Sequence, residues 1–86
     1  MFENLLISST EIFLNCDVRL EITGFMQIDS TIKKLKINID EDVCTFKGSN
    51  EFLLSFNVNQ ISNIKVNSTS IQIYIDSDLI ISIKNL

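Results

Sequence analysis

The sequence contains no histidine, proline, alanine or tryptophan, and only two glycines and two cysteines in 86 residues. Histidine is the commonest general base and a frequent metal ligand, so its absence excludes Ser-His and Cys-His catalysis. Cys16 and Cys44 are too few and too far apart for a zinc motif, and no glycine-rich phosphate cradle occurs. We therefore predict a protein that is not an enzyme and that has no metal or cofactor.

Positive charge is also scarce. One arginine and six lysines stand against eleven acidic residues, which gives a net charge of −4. Nucleic acids and anionic membranes are bound by neutralising their phosphates with Lys and Arg, so neither is an expected partner. Lys33, Lys34 and Lys36 form the basic cluster of the sequence, which we interpret as a solvated strand face, with anion binding as the alternative.

Long apolar runs are missing too, since none approaches the roughly 20 residues of a membrane span. The start, Met1-Phe2-Glu3-Asn4, lacks the basic residues and apolar stretch of a signal peptide. These features favour a cytoplasmic protein with two reduced thiols. The alternative, for an oxidising compartment, is a disulfide between the two cysteines.

Isoleucine, by contrast, occurs fifteen times. Alanine is the best helix former and β-branched residues suit strands, so this composition favours sheet. A nucleotide bias toward Ile, Asn and Lys codons would account for part of it. The chain is short for two cores, which predicts a single domain over residues 1–86.

Alternation of apolar and polar residues marks the strands, most clearly in the C-terminal third. A three-residue loop at Asp76-Ser77-Asp78 pairs the apolar positions on one side: Ile75 with Leu79, Ile73 with Ile81, and Ile71 with Ile83. By the same reasoning Ile64 and Val66 pair with Ile73 and Ile71.

Two further hairpins are predicted upstream. A loop at Gly48-Ser49-Asn50 pairs Phe46 with Phe52, Cys44 with Leu54, and Lys47 with Glu51, which combines an aromatic pair with an opposite-charge pair. A return through residues 40–43 places Ile37 opposite Phe46.

The N-terminal third is less regular. Apolar residues keep one parity from Asp17 to Asp29, with Gly24 in an inward position, which predicts one long strand that bends at Gly24. Residues 2–16 are compatible with either strands or a helix, and we favour strands because Ile7-Ser8-Ser9-Thr10 is a poor helix interior.

The predicted fold is all-β: a small antiparallel meander of about seven to nine short strands, closed as a barrel or sandwich. One short N-terminal helix is the alternative for the first segment. Two acidic groups, at residues 40–42 and at Asp76 with Asp78, fall where turns are required. We interpret them as turn residues, because neither has the ligand spacing or glycine of a calcium loop.

Four apolar residues occupy outward positions: Phe25, Leu53, Tyr74 and Ile80. Gathered on one sheet face they would form a contact patch. The segment Leu79-Ile80-Ile81 is apolar on both faces, and such a strand at a sheet edge invites pairing with another chain.

The leading functional hypothesis is a non-enzymatic protein-binding module that acts through a sheet face or edge as a homodimer. A small acidic inhibitor or accessory protein of bacterial or phage origin is one concrete form. The alternative is a small-ligand-binding β-barrel with its pocket among the Asn-rich and Ser-rich loops. An enzyme built on carboxylates is the third and weakest hypothesis.

Overall fold

Two antiparallel sheets and one short helix make up the fold. The computed structural model describes residues 2–76 and 78–86. Within them the elements are α1 (Glu3–Thr10), a 3-10 helix (Glu11–Phe13), β1 (Val18–Gly24), β2 (Ile28–Ile32), β3 (Lys36–Asp40), β4 (Val43–Lys47), β5 (Leu53–Asn57), a second 3-10 helix (Val58–Gln60), β6 (Ile61–Val66), β7 (Ser70–Ile75) and β8 (Leu79–Asn85). The predicted all-β class, with a short N-terminal helix, is confirmed.

The larger sheet has five strands in the order β2-β1-β8-β7-β6, and the smaller has three in the order β3-β4-β5. The chain leaves the larger sheet after β2, forms the smaller sheet and returns at β6. Strand β8 then pairs with β1 from the opposite end of the chain. The sheets do not close into a barrel, so of the two predicted forms the sandwich-like meander is the one that fits.

The core is formed by the inner faces of the sheets together with one side of the N-terminal helical segment. Its central residues are aliphatic side chains of β1, β7 and β8, which alternate along each strand with outward, more exposed residues. The fully buried members include Leu6, Phe13, Leu20, Ile32, Leu35, Phe46, Ile71, Ile73, Ile81 and Ile83. Each such side chain contributes roughly 1.5–3 kcal/mol on burial.

Three predicted registers are confirmed. In the β7–β8 hairpin Ile75 pairs with Leu79 and Ile73 with Ile81, although Ser77 of the predicted loop lies outside the described residues. The remaining two pairings are Ile64 with Ile73 between β6 and β7, and Ile37 with Phe46 between β3 and β4. The residues of these pairs are buried or half-buried on the inner side, and a slip by one residue would turn them outward.

The predicted β4–β5 register is wrong by two residues. Phe46 pairs with Leu54 instead of Phe52, so the inward parity is kept but the loop is longer. Contacts outside the hairpin hold that loop: Asn50 Nδ2 donates to the Thr31 carbonyl at 2.9 Å, and the Ser49 amide donates to the Lys33 carbonyl at 2.8 Å. The hydrogen bonds that hold the loop on the end of β2 therefore stabilise the longer loop over the predicted three-residue loop.

The predicted long strand from Asp17 to Asp29 is also wrong, because it divides into β1 and β2. Gly24 has a φ of 139°, which side-chain-bearing residues rarely adopt, and the chain reverses there so that Ile22 pairs with Ile28. Met26 and Ile28, which the parity predicted to face inward, are both 42% exposed. Gly24 therefore ends the strand instead of bending it.

The preference for strands in residues 2–16 is wrong, and the helical alternative is confirmed. Leu6, Thr10 and Phe13 lie on one helical side and are buried. The hydroxyls that make this segment a poor helix interior bond back to it: Ser9 Oγ donates to the Leu5 carbonyl and Thr10 Oγ1 to the Leu6 carbonyl, both at 2.6 Å. Burial of one side in the sandwich outweighs the weak propensity.

Candidate interaction surface

The side of the larger sheet that points away from the smaller sheet forms a continuous surface, which we call the outer face. Strand pairing arranges its residues in three rows that cross the sheet. The tyrosine row comprises Thr23, Ile80, Tyr74 and Asn63, the charged row comprises Asp29, Glu21, Ser82, Gln72 and Lys65, and the third row comprises Thr31, Arg19, Lys84 and Ser70.

Tyr74 and Ile80 form an apolar pair on this face, in the row nearest the β7–β8 turn. They are direct cross-strand partners between β7 and β8, and both are half-buried. Tyr74 is held from two sides: its hydroxyl lies 3.3 Å from Gln72 Oε1, and Lys65 Nζ lies 5.3 Å from the centre of its ring. A phenol fixed in this way offers contact area at a low cost in conformational entropy.

Ion pairs occupy the β2 side of the outer face. Arg19 Nε donates to Asp29 Oδ1 at 3.0 Å and lies 3.4 Å from Glu21 Oε1, while Lys84 Nζ lies 3.3 Å from the same Glu21 oxygen. The hydrogen bond from Arg19 lowers the pKa of the Asp29 carboxyl and raises that of the guanidinium. These pairs are exposed, so they orient side chains more than they stabilise the fold.

Phe25 lies at one end of the same sheet. It follows Gly24, which pairs with Leu79, and its amide donates to the Asp78 carbonyl at 3.4 Å. Its side chain is 73% exposed, the highest value among the large apolar residues. The structure thus brings Phe25 to the end of the sheet that carries Ile80.

Leu53, the fourth predicted contact residue, lies elsewhere. It begins β5 at the edge of the smaller sheet, pairs with Lys47 and is 64% exposed. Tyr74, Ile80 and Phe25 belong to the larger sheet, so Leu53 cannot join them in one patch.

Strand β8 is not an edge strand. Leu79-Ile80-Ile81 is apolar on both faces, but β8 is the central strand, with β1 on one side and β7 on the other. The edges of the larger sheet are β2 and β6. Ile80 is therefore exposed through the sheet face and not through an open edge.

Sequence reasoning missed the charged members of the outer face. Glu21, Asp29 and Lys65 each occupy an outward position, a signal that was available, but their alignment in one row depends on the β1–β8 pairing. It also missed a second apolar region on the helical segment. There Ile7 and Leu14 line a cleft of about 250 Å³ with Ile37 and Ile39 of β3.

The two cysteines differ in exposure. Cys44 is fully buried, and burial raises the pKa of its thiol to about 12. Cys16 is half-buried, and its Sγ lies 3.6 Å from the Ile12 carbonyl. Both cysteines are free. A thiol with the pKa of Cys44 is almost entirely protonated at neutral pH and is a poor nucleophile.

The strand face predicted for the lysine cluster is wrong for Lys33 and Lys34, which lie in the turn between β2 and β3, whereas Lys36 begins β3. Glu41 and Asp42 both have positive φ, at 46° and 69°, as the two-residue turn between β3 and β4 requires. Asp17 accepts a hydrogen bond from the Lys34 amide at 3.1 Å, and Lys33 Nζ lies 3.4 Å from the same carboxyl group. Over the part of the chain that the structure describes, no cluster of three or more acidic or thiol groups suits a metal ion.

The fold and the outer face define a two-sheet all-β domain with an aromatic and charged sheet surface. Comparison with family models, curated proteins and solved structures gave no match for this chain. Neither α1 nor any other helix among residues 2–76 and 78–86 has the length and apolarity to cross a membrane.

Proposed function

We propose that this protein is a non-enzymatic binding module whose partner is another protein chain, and that it self-associates through the outer face as a homodimer. The observation that carries the proposal is the pairing of Tyr74 with Ile80 on that face, with the exposed Phe25 at the same end of the sheet. Tyrosine is enriched at protein interfaces because it combines a large apolar ring with a polar tip.

The surroundings of Tyr74 support this function. Apolar interface residues that dominate binding have neighbouring groups that exclude water on association. Tyr74 and Ile80 are flanked by Gln72, Ser82 and Thr23 on neighbouring positions of β7, β8 and β1. The apolar pair thus has a polar rim on the same face.

The ligand-binding alternative has weaker support. Small-molecule pockets usually measure roughly 300–1,000 Å³ and bury most of the ligand. Two clefts on the described surface measure about 220 Å³, beside Ile22 and Ile28, and about 250 Å³, beside Ile7 and Leu14. The barrel mouth that this alternative required is missing as well, because the sheets stay open.

A reducing, cytoplasmic location suits this proposal. Cys44 contributes its thiol to the core between the sheets, where it packs as a small apolar group. The net charge of −4 disfavours nucleic acid and anionic membranes as partners. A neutral or basic protein surface, or a second copy that pairs unlike charges, remains the suitable partner class.

Sedimentation velocity over a series of protein concentrations tests the proposal. We expect the parent chain to associate reversibly, and Tyr74→Ser and Ile80→Ser to weaken that association. Leu53→Ser is the matched control, because it also removes an exposed apolar side chain but lies on the smaller sheet. A parent that stays monomeric at every concentration, or a Leu53→Ser effect as large as that of Tyr74→Ser, would contradict the proposal.

A further inference from the structure

The charged row of the outer face carries charges of opposite sign at its two ends. Asp29 on β2 and Glu21 on β1 lie at one side, Lys65 on β6 lies at the opposite side, and Ser82 on the central strand β8 lies between them. Both ends of the row are exposed. The charged row therefore carries negative charge toward β2, which Arg19 of the neighbouring row offsets in part, and positive charge toward β6.

Two copies can stack face to face about a twofold axis in two simple ways. An axis parallel to β8 places the β6 side of one copy over the β2 side of the other, so that Lys65 faces Asp29 of the second copy. An axis in the plane of the sheet but perpendicular to the strands places each strand over its own equivalent. Lys65 would then face Lys65, and Asp29 would face Asp29.

From this charge pattern we infer that the partner of the outer face is a second copy stacked about the axis parallel to β8, with Lys65 of each copy paired with Asp29 and Glu21 of the other. This inference rests on the proposed function. Opposite charges select this orientation over the perpendicular one, where like charges meet at both ends of the row. Stacked sheets keep their strands within about 30° of each other, so the rows stay in approximate register near the axis.

The same arrangement superposes the tyrosine rows. Ile80 lies on β8 and meets its equivalent at the axis, while Tyr74 on β7 lies over Thr23 on β1 of the second copy. Lys84 also lies on β8, so the two Lys84 side chains approach each other. Each of these ammonium groups is held by its own Glu21 at 3.3 Å, which offsets their repulsion.

The area of the outer face indicates how strongly the two copies should associate. Five strands spaced about 4.8 Å apart give a width of about 24 Å, and seven residues at about 3.3 Å each give a length of about 23 Å. The two copies would together bury about 1,100 Å², which is at the low end for specific interfaces. A reversible dimer that forms at micromolar concentration or above fits this area.

Charge reversal tests the arrangement directly. Lys65→Glu and Asp29→Lys each place like charges at both ends of the row, and we expect each to raise the dimer dissociation constant about tenfold. The double variant restores the opposite-charge contacts with their signs exchanged. We expect it to return to within about threefold of the parent, since a twofold dimer repeats each contact. Lys47→Glu is the matched control, because it makes the same charge change on the smaller sheet.

Sedimentation velocity gives the dissociation constants, and thermal unfolding by circular dichroism checks that each variant is folded. Recovery in the double variant, with no effect of Lys47→Glu, supports the arrangement. If Tyr74→Ser dissociates the dimer but neither charge reversal does, or if the double variant stays as weak as the singles, the arrangement is wrong while the outer face remains the contact surface. A parent that is monomeric throughout overturns both.

Discussion

Gly24 is the residue at which one added methyl group should disturb the fold most. A Cβ atom built there lies 1.9 Å from the Asp78 carbonyl oxygen and 3.2 Å from Leu79 Cα, far inside van der Waals contact. Both contacts are backbone atoms of the turn that leads into β8, so no side-chain rotation can relieve them. The φ of 139° adds conformational strain for any residue with a side chain.

The cost of Gly24→Ala follows from these two terms. The strain contributes about 1–3 kcal/mol, and separating the strands weakens the hydrogen bond from the Phe25 amide to Asp78, worth about 0.5–1.5 kcal/mol. A loss of about 2–4 kcal/mol is large for a chain of 86 residues, whose total stability is expected to be about 4–13 kcal/mol. The melting temperature should fall by about 10–20 °C.

Urea unfolding followed by circular dichroism measures this loss, and Gly48→Ala is its control. A Cβ at Gly48 meets side-chain atoms instead, Asn50 Oδ1 at 2.6 Å and Ile32 Cγ2 at 2.7 Å, and needs no unusual φ. We expect it to cost about 1 kcal/mol. If Gly24→Ala costs less than Gly48→Ala, the close approach of β1 to the β7–β8 turn is refuted.

Three other predictions concern the turns and the titrating groups. Replacing Glu41 by Asn and Asp42 by Gly should stabilise the protein by about 1 kcal/mol in urea unfolding, because Asn-Gly tolerates the positive φ values of this turn; an unchanged midpoint would count against the turn geometry. The raised pKa of Cys44 means that the unfolded thiol, with its ordinary pKa of 9.0, ionises first as pH rises. The free energy of unfolding should therefore fall by about 1.4 kcal/mol between pH 8 and pH 10, and Cys44→Val should remove that part of the decline. The hydrogen bond from the Lys34 amide lowers the pKa of Asp17, so its stabilising effect is present above pH 3.8 and is lost as the pH falls through the folded pKa. Asp17→Asn should flatten this acid limb, and an identical acid profile would contradict the contact.

The sequence predicted hairpins best where both strands alternate strictly. In β7 and β8 the buried isoleucines share one parity, so the register follows from local pattern and loop length. The pairing of β8 with β1 could not be predicted, because it joins segments at opposite ends of the chain that share no loop. The β4–β5 register failed for a related reason, since Asn50 and Ser49 bind the end of β2, which is distant in sequence.

In the candidate site, too, local features could be predicted and features that depend on distant segments could not. The contact of Tyr74 with Ile80 follows from the predicted β7–β8 register, and the structure places the two residues opposite each other. The separation of Leu53 depends on the division of the strands into two sheets, for which alternation carries no signal. The alignment of the charged row depends on the pairing of β1 with β8, so it could not be predicted from neighbouring residues in the sequence.

Dilution of an isotope-labelled sample, followed by amide NMR spectra, tests the central claim that the outer face is the contact surface. We expect concentration-dependent shifts at Thr23, Tyr74, Ile80 and Ser82, whereas Thr45 and Ser55 on the smaller sheet keep their positions. Shifts that are largest on the smaller sheet or on α1, or spectra that do not change with concentration, would contradict the account.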